Sequence, residues 1–172
     1  GAEIRLGVVD GDELEDADRA ALHEAINASL ATNIRNSLFV GNTAGSGGAL
    51  NMTLGPSSVS FCTFYGNDAN AQPIARTNAS GGITMRNCLA TQNTPIDDIV
   101  GGTGWTIQYS NIERSNPGTT VSGAGNINEP PLFMSLPSPG GDMMWGTMDD
   151  DFGNLRLAAG SPGIDAGDSL NV

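Results

Sequence analysis

Lysine is absent from this 172-residue chain: its seven basic residues are all arginine, set against 19 acidic residues for a net charge of −12. A nucleic-acid-binding face needs a basic stripe, and an anionic membrane surface attracts polybasic segments, so neither partner is expected. Histidine occurs once, at His23. A catalytic zinc site or a Ser-His-Asp arrangement would have to run through that one side chain, which reads as exposed and ordinary. Cys62 and Cys88 are the only cysteines, too few for a disulfide framework. Aromatics make up 5% of the chain, low for a compact α/β enzyme. No window approaches the ~18 apolar residues of a spanning helix, so no membrane insertion is expected of this chain.

Glycine, by contrast, is plentiful, at 24 residues. The length is one domain's worth. A chain without lysine, acidic and rich in Asn, Thr, Ser and Gly, is expected to be an exported bacterial protein, secreted or held at the cell surface. Gly1 in first place, with no visible signal peptide, suggests a processed piece of something longer. Asn27-Ala28-Ser29, Asn51-Met52-Thr53 and Asn78-Ala79-Ser80 match the glycosylation sequon, a match that arises by chance in an Asn-rich chain.

The main signal is a repeat. Ile34-Arg35-Asn36-Ser37-Leu38-Phe39-Val40-Gly41-Asn42 aligns with Val59-Ser60-Phe61-Cys62-Thr63-Phe64-Tyr65-Gly66-Asn67. Met85-Arg86-Asn87-Cys88-Leu89-Ala90-Thr91-Gln92-Asn93 and Ile107-Gln108-Tyr109-Ser110-Asn111-Ile112-Glu113-Arg114-Ser115 follow the same pattern. Equivalent positions are about 25, 26 and 22 residues apart, the period of a solenoid. A β-sandwich of short strands would not keep chemical type from one repeat to the next.

In a coil of short strands, equivalent residues stack roughly 4.8 Å apart. Ile34, Val59, Met85 and Ile107 would form one interior column, and Phe39, Phe64, Ala90 and Ile112 a second. Ser37, Cys62, Cys88 and Ser110 would form a third, of small side chains. There the two cysteines are either buried thiols or a disulfide, since the spacing allows both. Asn42, Asn67 and Asn93 would form a turn ladder of stacked amides. Further strands are expected over Gly47–Thr53, Pro73–Thr77 and Ile96–Val100.

The remainder departs from the repeat. Ala2–Val9 alternates like a strand, and apolar spacing predicts a helix over Asp16–Leu30. The expected organisation is an N-terminal strand and helix covering the coil (1–31), repeated coils (32–115), and a loop-rich terminal coil with a closing motif (116–172). Met143, Met144, Trp145 and Met148 are expected to cover the side of the coil, and Asn154–Leu157 to form a final strand. Asp10, Asp12, Asp16 and Asp18 resemble a calcium loop but miss its spacing by one residue. Asp149, Asp150 and Asp151 form a second acidic run, weak as a Ca²⁺ candidate and more naturally a solvated turn.

Phe39-Val40-Gly41-Asn42-Thr43-Ala44 followed by Gly47-Gly48-Ala49-Leu50 resembles the paired repeats of the polymorphic outer membrane protein family. Tyr109-Ser110-Asn111-Ile112-Glu113, Gly125-Asn126-Ile127, Pro131-Leu132-Phe133, Leu155-Arg156-Leu157 and Gly160-Ser161-Pro162-Gly163-Ile164-Asp165-Ala166-Gly167 resemble the end of β-helix proteins that carry a sorting anchor downstream. The resemblance covers about residues 32–168. It implies an all-β chain, a short right-handed parallel β-helix of about four coils, with a surface or extracellular role and no specified activity.

Two function classes follow. One is a structural or adhesive element that stacks on its own kind, its open sheet edges adding strands end to end into a filament. The other is a carbohydrate-binding module, lyase or hydrolase acting on an extracellular polysaccharide, or a binder of a surface protein. Arg35 and Arg86 share an outward repeat position, with Ser60 between them and Gln108 beyond, and could line a groove for a polyanion. No acidic column accompanies them, so catalysis is the weaker expectation.

Overall fold

The computed structural model describes residues 26–28, 33–52, 56–77, 82–97, 100–101 and 104–169. Alternation at period two, as in the inward Ile83 and Met85 with Thr84 and Arg86 turned outward, makes short strands. In chain order they are β1 (Ile26–Ala28), β2 (Asn33–Arg35), β3 (Leu38–Val40), β4 (Thr43–Ala44) and β5 (Leu50–Met52). There follow β6 (Ser57–Ser60), β7 (Thr63–Tyr65), β8 (Asp68–Ala69) and β9 (Ala75–Thr77), then β10 (Ile83–Arg86), β11 (Leu89–Thr91) and β12 (Val100–Gly101). The set closes with β13 (Trp105–Gln108), β14 (Asn111–Ile112), β15 (Phe133–Ser135) and β16 (Asn154–Leu157).

Among the described residues the regular structure is nearly all β. Three four-stranded sheets, β13-β10-β6-β2, β14-β11-β7-β3 and β1-β5-β9-β12, are parallel throughout. β4 and β8 pair in parallel and β15 and β16 antiparallel. The register carries Ile34 onto Val59, Val59 onto Met85 and Met85 onto Ile107. It likewise carries Phe39 onto Phe64, Phe64 onto Ala90 and Ala90 onto Ile112. The Phe39 and Phe64 rings stack 4.9 Å apart, 6° from parallel, which is the strand spacing itself. These residues, with Leu50, Met52, Ile74, Ala75, Ile83 and the two cysteines, make one core cluster. Each fully buried aliphatic side chain contributes about 1.5–3 kcal/mol.

The strands of the sheet β13-β10-β6-β2 are short because a left-handed residue ends each one. Asn36, Phe61, Asn87 and Tyr109, at φ 50–55°, occupy one corner of the four repeats. Their amides still reach the neighbouring repeat, as in Asn36 N–H to the Ser60 carbonyl (3.1 Å) and Phe61 N–H to that of Arg86 (3.1 Å). The next residue supplies a side-chain donor to the corner carbonyl two positions back. Ser37 donates to Arg35 (3.0 Å), Cys62 to Ser60 (3.3 Å), Cys88 to Arg86 (3.2 Å) and Ser110 to Gln108 (3.0 Å). That column therefore requires residues that are both small and hydrogen-bond donors.

Several expectations change. Residues 26–28 lie in the predicted helix but form a strand in register with Leu50–Met52. Their backbone groups go to β5, and tertiary pairing overrides a weak helical pattern. The rest of Asp16–Leu30 and the Ala2–Val9 strand lie outside the described residues, among which there is no α-helix. The expected Gly47–Thr53 strand narrows to Leu50–Met52, and Ile96–Val100 shifts to Val100–Gly101.

The methionines do not cover the repeats: Met143 is 82%, Met144 62% and Met148 97% exposed. Their turn is held by its own carboxylates, with Asp142 accepting from Met144 N–H (2.9 Å) and Asp150 from Gly146 N–H (2.7 Å), which leaves these side chains pointing outward. Only Trp145 reaches back, lying so close to Gly41 that any Cβ there would overlap the indole.

At the far side, residues 121–129 lie against the fourth repeat. Tyr109 N–H meets the Ala124 carbonyl (2.8 Å), Ile112 N–H that of Ile127 (3.0 Å), and the Asn126 amide that of Ile107 (2.8 Å). Gly123, at φ 141°, passes so near the Ile107 carbonyl that a side chain has no room.

Candidate functional site

The outward face of the sheet β13-β10-β6-β2 carries the polar stripe. The register places Arg35 beside Ser60, Ser60 beside Arg86 and Arg86 beside Gln108. Each arginine lies over the left-handed aromatic of the following repeat: Arg35 Cζ is 5.6 Å from the Phe61 centroid and Arg86 Cζ 5.5 Å from that of Tyr109. Such a contact contributes about 0.5–1 kcal/mol where solvent-exposed.

The two arginines then diverge. Arg35 is exposed. The Arg86 guanidinium is tied down, donating to Gln108 Oε1 through Nε (3.1 Å) and Nη2 (2.5 Å) and to Asp168 Oδ2 through Nη1 (2.9 Å). Asn87 adds two bonds to the same terminal segment: its Oδ1 accepts from Asp168 N–H (2.7 Å) and its Nδ2 donates to the Asp168 carbonyl (3.3 Å). The Arg86 end of the expected polyanion stripe is thus a clip for the chain's closing segment. Asp168 lies 82 residues away in sequence, and no local pattern announces it.

Between that segment and the corner is an open cleft of about 420 Å³, lined by Phe61, Asn87, Leu89, Tyr109, Leu157 and Asp165 among others. Its aromatic rings are not free platforms. Phe61 lies under Arg35, while Tyr109 lies under Arg86 and against Gly125. Elsewhere Tyr65 is edge-on to Phe133, and Trp145 stacks on Phe152.

The asparagine ladder lies on the turn side. Asn42 Nδ2 donates to Asn67 Oδ1 (2.8 Å), and Asn67 Nδ2 to Asn93 Oδ1 (2.9 Å). Asn67 and Asn93 also donate inward to the Phe39 (3.1 Å) and Phe64 (3.0 Å) carbonyls. In the fourth repeat the equivalent Ser115 donates through its hydroxyl to Asp97 instead. Gln92 takes the left-handed place that Gly41 and Gly66 hold in earlier repeats. Its amide donates to Glu113 Oε2 (2.5 Å), which also accepts from Thr91 Oγ1 (2.7 Å). Burial, and then the Glu113 charge, raise the Tyr65 hydroxyl above the usual tyrosine range.

The acidic run at 149–151 works locally. Asp149 accepts from Gly141 N–H (2.6 Å) and Thr147 Oγ1 (2.7 Å), Asp150 from Thr147 N–H (3.2 Å), and Asp151 from Gly153 N–H (2.8 Å). The Thr147 hydroxyl and then Gly141 N–H hold the Asp149 carboxyl below its ordinary range. Among the described residues no group of three or more His, Cys, Asp or Glu could hold a metal ion. Asp10, Asp12, Asp16, Asp18 and His23 lie outside the described residues.

Cys62 and Cys88 are free thiols in the core. Burial pushes the Cys88 thiol well up, while its hydrogen bond to Cys62 holds the latter down. The pair sheds a first proton more readily than a second.

No protein-family model, curated protein or solved structure matches the chain. No helix among the described residues is long and apolar enough to cross a membrane.

Proposed function

We propose that the three parallel sheets are faces of a short right-handed parallel β-helix of about four coils, and that it serves a non-catalytic, structural or adhesive role outside the cell. The observation that carries this reading is the unbroken register of the inner columns from Ile34 to Ile107 and from Phe39 to Ile112. Polar groups support it too. The amides of Asn67 and Asn93, the carboxylates at 149–151 and the Arg86 guanidinium are all engaged within the chain. Side chains committed to holding a framework are poorly placed to move protons or hold a substrate.

End-to-end self-assembly into a filament is one form of this role, with strands added at the β1, β2 and β3 edges, because residues 121–129 already lie against the β13–β14 edge. Sedimentation velocity over a concentration series, with electron microscopy of the same samples, tests it. Oligomers that grow with concentration and rods of regular axial repeat are expected. A monodisperse monomer at the highest concentration removes the filament.

Exposed Arg35 favours the second reading, a binder of acidic polysaccharide. Calorimetric titration with a polyuronate distinguishes the two. Binding abolished by Arg35→Ala supports the binder. Polymer cleavage lost in the same variant defeats the non-catalytic reading.

A further inference from the structure

We propose that Cys62 and Cys88 form an oxidation site, closing under disulfide-exchange conditions into a bond that ties the second repeat to the third. The register on either side, Ser60 opposite Arg86 and Thr63 opposite Leu89, sets the two cysteines directly across from each other. The backbone is held at both flanks, by Phe61 N–H to the Arg86 carbonyl (3.1 Å) and Leu89 N–H to the Cys62 carbonyl (2.9 Å). Neighbouring strands run about 4.8 Å apart, inside the Cα separation of roughly 4.4–6.8 Å that disulfides adopt. Both side chains are 1% exposed and belong to one core cluster. Each thiol also reaches back to a carbonyl of the preceding repeat, Cys62 Sγ to Ile34 (3.8 Å) and Cys88 Sγ to Val59 (3.7 Å), so the two side chains lean the same way along the column.

The column around them shows why this pair stands out. Ser37 and Ser110 do the same corner work as the cysteines, each donating to the carbonyl two residues back. The two middle repeats carry that donor as a thiol, which is also an oxidisable group. The chemistry needs a disulfide oxidant of the glutathione class. The Cys62 thiol loses its proton to solvent, and its thiolate attacks one sulfur of the oxidant. A mixed disulfide forms and one reduced thiol leaves. The Cys88 thiol then loses its proton, attacks Cys62 Sγ and expels the thiol still attached. The two cysteines give up two electrons and two protons, and the oxidant becomes two thiols. Burial in the closed fold directs the exchange to the folding or transiently opened chain.

The test is refolding of the whole chain with glutathione disulfide, followed by thiol titration in denaturant, intact mass and peptide mapping. We expect both thiols to disappear, the mass to fall by two hydrogens, and the peptides carrying Cys62 and Cys88 to be linked. The thermal midpoint should rise by about 5–10 °C over the reduced chain. Cys62→Ser, which installs the residue found at 37 and 110, should fold and show neither the mass loss nor the gain. Two titratable thiols in oxidatively refolded, folded protein would overturn the proposal, as would a linkage found only between chains.

Discussion

The repeats and the region after them solve the same problem in opposite ways. In residues 33–112 backbone and side-chain polar groups bond mostly to the next repeat, about 25 residues away, and apolar side chains turn inward. In residues 136–153 the bonds stay within the segment, carboxylate to amide two to eight residues away and backbone to backbone between Ser138 and Asp151, and Met143, Met148 and Phe152 face solvent. The first region is held by contacts no single repeat can make alone. The second is a set of self-capped turns fastened at a few points. Destabilisation should therefore spread in the first region and stay local in the second.

The largest effect should come from Phe64→Ala. Phe64 is fully buried and stacked on Phe39. Truncation should cost about 3–5 kcal/mol, while Phe152→Ala, at an exposed ring, should cost under about 1 kcal/mol. Urea unfolding of both variants checks this, and equal losses would erase the distinction between the regions. Asn67→Ala comes next. It removes the acceptor for Asn42 and the donor to the Phe39 carbonyl in a fully buried setting. A loss of about 2–4 kcal/mol is expected, because the Asn42 amides and the Phe39 carbonyl on the preceding repeat lose their partner, while Asn93 Oδ1 on the following one keeps only the bond from the residue-67 N–H. Amide exchange should quicken in the repeats on either side, not only at the substituted one.

Repetition made the columns legible. Ile34, Val59, Met85 and Ile107 keep their type because each rests on the previous one, and a fixed period exposes that constraint. The corners were less legible. Asn36, Phe61, Asn87 and Tyr109 share left-handed backbone without a glycine among them. Two are aromatic, at a strain of about 1–2 kcal/mol each, offset by the inter-repeat ladder and the overlying arginines. Strand β1 was hidden because its partner at Leu50–Met52 is distant, while Ala21, Leu22, Ala25 and Ile26 show only local spacing. Of the candidate site, the shared outward position of Arg35 and Arg86 could be read from the period. The commitment of Arg86 to Asp168 could not, since it depends on where the closing segment returns.

That clip is the seam between the regions and gives a middle-sized prediction. Asp168→Asn keeps the side-chain shape and weakens the ion pair, whose carboxylate is mostly buried and whose guanidinium is partly exposed. A loss of about 1–2 kcal/mol is expected. Faster amide exchange should be confined to residues 157–169 while Val59 and Met85 stay protected. Spread of the effect into β6 and β10 would mean the closing segment supports the repeats rather than resting on them.

The smallest effect concerns Asp97, which is exposed and joins the chain after the third repeat to the end of the fourth. The Ser115 hydroxyl, then the Ser115 amide and the Arg114 guanidinium, hold its carboxyl below the usual aspartate range. A depressed folded value means that the ionised form is bound more favourably in the folded chain. Its contribution is present above the unfolded value of about 3.9 and fades as pH falls through the folded one. Asp97→Asn should therefore lower the thermal midpoint slightly at neutral pH, and the two proteins should converge in acid once Asp97 is protonated in both states. Added salt should narrow the neutral-pH gap only in part, since the Ser115 hydrogen bonds are short-range while the Arg114 attraction is screened. A gap that persists unchanged in acid would show that Asp97 acts by shape rather than charge, and that the end of the fourth repeat resembles the buried ladder more than the self-capped turns.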